Sequence, residues 1–283
     1  MRRSFLAIFV VGSLLVCAVS VFAQTKKIMV IAHRGGVVDE SHSENSLNSM
    51  EEAIRRGYTH VEVDVRLTKD GRVVCFHSDN MKAQTGVDRN IGDMTLAEVK
   101  KAVLTRSNEQ IPTFEEYCAR IANRINLMVD IKGTSDRFLE FYTKQIEHAL
   151  AGHGLLAHTL FIINQFPIAN QEKVADYFLG KALLSWRSDV QYTRLMLPYM
   201  PSPAKYQFVF NSPVELTKTE IDGFHEMGIP IVASVNTQDY RGPEADPLKQ
   251  GNEDIKKMLD WGVDGVQIDS CYDPPVFERL KER

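Results

Sequence analysis

Cysteine is scarce in this 283-residue chain, and of its four copies only Cys75, Cys118 and Cys271 lie beyond the first two dozen residues. An odd, sparse set is no disulfide framework, even in an oxidising compartment. Nor do the spacings make a zinc site. The chain also lacks any Ser/Gly/Pro-rich linker or low-complexity tract, so nothing divides it into domains. It has no excess of basic charge: 33 Lys and Arg stand against 37 Asp and Glu, for a formal charge of −4. A mildly acidic surface excludes a nucleic-acid sheath, and an anionic substrate would have to be met by local cations. Missing too is an apolar run of the ~20 residues that a membrane span needs. The apolar stretch from Phe5 to Val16 is shorter than that.

That stretch follows Met1-Arg2-Arg3 and precedes Val21-Phe22-Ala23. A charged start, a short apolar core and a small-residue end predict a secretory signal peptide over residues 1–23. The protein is therefore expected to be exported, to the periplasm or beyond, with no stable membrane anchor after cleavage. Loss of Arg2 and Arg3 would lower the formal charge by two, to −6. Residues 24–283 are then expected to form one domain. Forty-four per cent hydrophobic residues suffice for its core, and its length suits one barrel of ~250 residues.

Short apolar runs alternate with amphipathic stretches. Strands are predicted at 28–32, 61–65, 73–77, 127–131, 160–164, 182–185, 207–211, 229–235 and 263–268. That is nine, one more than an eight-stranded barrel needs, and 207–211 or 182–185 is the expected surplus. Helix signals lie between many of them: Leu47, Met50 and Ile54 before Gly57, capping boxes at Thr95–Glu98 and Thr113–Glu116, and a cap at Asn252 before Ile255, Met258 and Leu259. Strands alternating with helices predict an α/β fold with a parallel sheet, closed as a TIM (β/α)8 barrel. One connection resists this pattern. Only residues 66–72 separate the second and third runs, which leaves both an antiparallel hairpin and a parallel return open.

The chemistry-bearing residues start with Val61-Glu62-Val63-Asp64-Val65. Side chains alternate along a strand, so the valines share one face and the acids the other. Inside a barrel, two neighbouring buried carboxylates are costly without a cation. The same pattern recurs at Val129-Asp130-Ile131-Lys132. Three inward carboxylates could hold a hard divalent cation through oxygen. His33 and His77 each end an apolar run, where the active face of a barrel lies. Near a bound metal they could share general acid and base work. The other six histidines lack this placement.

His33-Arg34-Gly35, Glu44-Asn45-Ser46, Glu62-x-Asp64, Thr68-Lys69-Asp70-Gly71, His77 and Asp130-x-Lys132 follow one another in that order. Ile111–Glu116 and Asp264-Gly265-Val266 with Asp269 extend the set across the chain. In this order they resemble the glycerophosphodiester phosphodiesterase family. The resemblance implies a barrel with a small insertion at its active face, here 78–110. It implies Glu62, Asp64 and Asp130 as ligands of one Ca2+ or Mg2+, His33 and His77 as the catalytic pair with His77 the acid, and Arg34 and Lys132 on phosphate oxygens. Glu44 would support the substrate side. The implied reaction is metal-dependent hydrolysis of a small glycerophosphodiester to glycerol 3-phosphate and an alcohol.

The sequence departs from the family pattern at three places. Asp130 stands where the family has Glu, Ser78 separates His77 from the following Asp79, and Ala233-Ser234-Val235-Asn236 replaces a Trp-Thr-Val-Asn segment, with Trp186 as a possible substitute wall. Sphingomyelinase D-type enzymes also carry Asp-x-Lys, so a lipid phosphodiesterase or lyase is the alternative. It would need an apolar rim at the active face, for which 195–201 is the candidate. A barrel that binds a phosphodiester without cleaving it is the alternative of another class.

Overall fold

The computed structural model describes residues 28–133, 136–163, 167–185, 189–199 and 205–281. The expected signal peptide and Trp186 lie outside them. Among the described residues, eleven strands follow in chain order: β1 (Met29–Ala32), β2 (His60–Leu67), β3 (Val73–Cys75), β4 (Val103–Leu104), β5 (Glu109–Gln110), β6 (Asn126–Ile131), β7 (Leu160–Ile162), β8 (Leu183–Ser185), β9 (Gln207–Asn211), β10 (Ile231–Val235) and β11 (Gly265–Ile268). Eight of them, β1, β2 and β6 to β11, pair in parallel around a closed ring. This is the TIM barrel that the alternation of strands and helices predicts. Among the described residues, no helix is long and apolar enough to cross a membrane.

The surplus strand is not the expected one. β8 and β9 are both barrel strands, with Leu184 paired to Gln207 and Leu160 to Leu183. The extra one is β3, which runs antiparallel to β2, with Leu67 opposite Val73 and Val65 opposite Cys75. The five residues joining them cannot hold the dozen or so that a parallel crossover requires. Instead they turn tightly: Gly71 N donates to Thr68 O at 3.0 Å, and Arg72 N donates to Thr68 Oγ1 at 2.9 Å.

Several helix ends follow local chemistry. Ser46 Oγ caps Leu47–Arg56, and Gly57 closes it at φ 90°. Both expected capping boxes form, on Leu96–Val99 and Phe114–Ile121. The last long helix differs. It spans Pro247–Trp261 and is capped by Asp246, so Asn252 lies inside it. Pro247 sits in the first turn, where its missing N–H costs nothing.

Strand alternation sorts the barrel. Val61, Val63 and Val65 face outward into the apolar shell shared with the helices. Ile31, Met128, Leu160, Ile162, Phe208 and Val232 face inward and fill the barrel. Further along the same inward faces come Glu62, Asp64, Asp130, Lys132, Ser234, Asn236 and Gln267, all buried. The interior therefore changes from apolar to polar toward the C-terminal ends of the strands. Residues 78–110 pack on β3 around a small core of their own, including Met81, Ile91, Met94, Val99 and Leu104.

Candidate active site

Asp64 and Asp130 stand opposite each other in the β2–β6 pairing. Their carboxylates and that of Glu62 offer oxygens within 4.8 Å of one another. Glu62 and Asp64 are 1% exposed and Asp130 is 5%. Lys132 Nζ lies 2.8 Å from Asp64 Oδ1 and 2.6 Å from Asp130 Oδ2. Among the described residues, the three buried carboxylates crowd together around Lys132. Burial, with repulsion from Asp64 and Asp130, pushes Glu62 well above the carboxylate range. Burial also raises Asp130 to about 6, against the pull of Lys132. For Asp64, burial acts upward but is outweighed by Lys132, His77 and Asn45, so it stays below its usual value. An all-oxygen donor set under this electrostatic tension fits a hard divalent cation.

Asn45 clamps one of these acids. Its Nδ2 donates to Asp64 Oδ2 at 2.8 Å, and its Oδ1 accepts from Asp64 N at 3.0 Å. The turn that carries Arg34 is equally fixed. Arg34 takes φ 54°, and its N–H donates to Glu62 Oε2 at 2.7 Å. Gly36 follows at φ 139°, where a Cβ would lie 2.2 Å from Ser49 O, so only glycine fits. Tyr117 Oη and Ser49 Oγ both donate to Gly35 O, at 2.8 and 3.1 Å.

His33 leaves β1 with Nδ1 2.7 Å from Asp269 Oδ1. Asp269 Oδ2 accepts from Thr237 N at 2.7 Å and from Thr237 Oγ1 at 2.6 Å. Burial opposes charge on Asp269, but these partners hold it at about 2. A carboxylate on Nδ1 leaves Nε2 for proton exchange. His77 arrives differently. It does not end a barrel strand, because β3 descends antiparallel and returns the chain to the level of Asp64, whose carbonyl accepts from Phe76 N at 2.9 Å. Among the described residues its ring has one hydrogen-bond contact, 3.5 Å to Ser78 Oγ, and burial pulls it down to about 4.

Arg34 Nη1 donates to Glu44 Oε2 at 2.8 Å, and Nη2 to Gln238 Oε1 at 3.1 Å. Gln84, from the 78–110 segment, donates to the other Glu44 oxygen. His33, Arg34, Glu44, Thr237, Gln238 and Asp269 line a cleft of about 310 Å3. A larger hollow, about 430 Å3 around Ile28 and Asp264, lies at the other end of the barrel, away from the acid cluster. Chemistry rather than volume therefore locates the site.

The eight residues singled out from the sequence thus gather at one end of the barrel. Asn45, Asp269, Thr237 and Gln238 were not given roles there. Asp269 was legible in principle, since it continues the inward face of β11 after Gln267. Two further expectations do not hold. Ala233 faces the helical shell, so its lack of an aromatic ring removes no cleft wall. Leu195, Leu197 and Tyr199 are exposed, but they follow Arg194, which pairs with Glu226 where helix Lys218–Glu226 ends. That is the end of the barrel opposite the acids, so these three side chains form no rim there. Met200 and Pro201 lie outside the described residues.

Residues 33–271 match the glycerophosphoryl diester phosphodiesterase family. The chain belongs to that family. It is accordingly a phosphoric diester hydrolase. Two similar proteins are the glycerophosphodiester phosphodiesterases of Bacillus altitudinis and Caldanaerobacter subterraneus subsp. tengcongensis. Each is 26% identical, over 85% and 86% of this chain and 94% of the relative. Among solved structures, a glycerophosphoryl diester phosphodiesterase from Parabacteroides distasonis superposes with TM-score 0.73 at 18% identity, over 92% of this chain and 89% of its own. A phosphodiesterase from Oleispira antarctica, in complex with the product sn-glycerol-3-phosphate, gives 0.68 at 20% identity, over 90% and 97%.

Proposed function

We propose that the protein hydrolyses small glycerophosphodiesters to glycerol 3-phosphate and an alcohol, with one Ca2+ or Mg2+ held by Glu62, Asp64 and Asp130. The observation that carries this reading is the placement of three carboxylates, Lys132 and two histidines at one barrel mouth. The names of the relatives, and the product bound to the Oleispira antarctica phosphodiesterase, support the substrate class.

The bound cation would supply Lewis-acid polarisation of the phosphoryl oxygens. Lys132 keeps its proton, because Asp64 and Asp130 outweigh the effect of burial on it, and it can neutralise charge developing on the phosphoryl oxygens. Arg34 presents its guanidinium in an orientation set by Glu44 and Gln238. His33 and His77 exchange protons with the attacking and leaving oxygens.

A cleft of about 310 Å3 suits a deacylated diester rather than a phospholipid with its acyl chains. With glycerophosphocholine, glycerophosphoethanolamine and glycerophosphoglycerol, coupled detection should show release of sn-glycerol 3-phosphate. Phosphatidylcholine vesicles should remain intact. Equal kcat/KM on vesicle lipid, or no turnover of any of the three diesters, would overturn this reading.

Export follows from residues 1–23. Sequencing the N-terminus of the exported protein should start near Gln24, and an intact Met1 on a cytoplasmic protein would refute export.

A further inference from the structure

Past Glu62 and Asp64, the inward face of β2 ends on another polar residue, Arg66. Its Nε donates to the main-chain carbonyl of His77 at 2.9 Å, and its Nη1 donates to Asp79 Oδ1. The two histidines are thus held in different ways. His33 is oriented through its ring by Asp269, which Thr237 fixes in turn. Among the described residues the His77 ring has no comparable partner, only Ser78 Oγ at 3.5 Å. Its strand pairing has also stopped, because the last ladder bond is from Phe76 N to Asp64 O. What remains to aim the ring is the backbone of 77–79, and the planar fork of Arg66 spans that segment.

We propose that Arg66 is a positioning residue that fixes His77 through its main-chain carbonyl, with Asp79 as the counter-charge of the fork. This rests on the reading of His77 as a catalytic group. The Arg66 side chain is 15% exposed and that of Asp79 is 78%. An exposed ion pair contributes little by itself, so the shielded bond to the carbonyl is the working contact. Freed from it, the segment can rotate, and a misplacement of about 1 Å in a catalytic group costs on the order of 100-fold.

The test is a double-mutant cycle in the full-length, metal-loaded enzyme with glycerophosphocholine as substrate. Arg66→Met should lower kcat about 10- to 100-fold with KM nearly unchanged, since positioning is lost and binding is not. Arg66→Lys, which keeps the charge and one donor but not the fork, should recover part of that loss. In a His77→Ala background, Arg66→Met should cost no more than about twofold, because groups acting as a unit are not additive. Asp79→Asn should have a smaller effect than Arg66→Met. An equal loss from Arg66→Met with and without His77 would overturn the proposal. So would a raised KM at unchanged kcat, which would make Arg66 a direct anion contact. If Arg66→Met shows no cooperative thermal transition, Arg66→Lys takes its place in the same cycle and is read by the same criterion. A His77→Ala enzyme with wild-type kcat would instead sink the catalytic reading of His77, and this inference with it.

Discussion

Excess EDTA is expected to abolish turnover, and readdition of Ca2+ or Mg2+ to restore it. Glu62→Gln and Asp64→Asn should each weaken metal binding by more than the ~10- to 100-fold that loss of an outer-sphere partner costs. The reason is electrostatic. Glu62 is driven up by burial and by its two acidic neighbours, and burial raises Asp130 to about 6. Both must be ionised to serve as ligands, so loading should release protons. For both acids the metal-free pKa is raised, so protons compete with the ion and apparent affinity should fall as pH drops, with Asp130 taking up its proton through about 6. Calorimetric titration in buffers of different ionisation enthalpy reads that proton release directly. Full activity in excess EDTA would sink the metal assignment. Binding without any proton release would leave the ion outside this cluster.

His33→Ala and His77→Ala should each lower kcat/KM at least ~100-fold, the lower end of general acid–base contributions. The double mutant should lose far less than the product of the two, because paired catalytic groups act together. The wild-type pH profile should be bell-shaped. Burial holds His77 near 4, so its neutral form, the form in which a base begins, is present at neutral pH. That favours His77 as the base and His33 as the acid, the reverse of the order implied by the family resemblance. The nature of the leaving group decides between them. On a diester with a poor alcohol leaving group both mutants should be slow. On a p-nitrophenyl ester, which needs little protonation, the mutant lacking the acid should regain activity, and that mutant is expected to be His33→Ala. Rescue of His77→Ala alone would reverse the assignment. Near-wild-type kcat for either mutant on the poor leaving group would make that histidine structural.

The 78–110 segment bears on this site through single contacts. Gln84 reaches Glu44, which in turn holds Arg34, while Lys69 N donates to Met94 O and Leu96 N donates to Asp70 Oδ1. The segment is thereby tied both to Arg34 and to the turn that leads from β2 into β3, the strand that brings His77 back to the barrel mouth.

The sequence by itself determined what depends on near neighbours along the chain. Alternation over 61–65 and 129–132 placed the three carboxylates and Lys132 on inward faces, because successive side chains of a strand must point to opposite sides. Thr95, Thr113, Gly57 and Gly262 set helix ends through bonds within one turn. The tertiary structure decided what depends on closing the ring. Asp269 meets His33 across 236 residues, and Gln238 meets Arg34 across 204, only because β11 closes the ring beside β1 and carries β10 on its other side. The direction of β3, and with it the approach of His77 from above, came from the shortness of its connection and the packing of 78–110 against it. No periodicity encodes such pairings, since they are fixed by which strands become neighbours once the apolar shell has closed around the barrel.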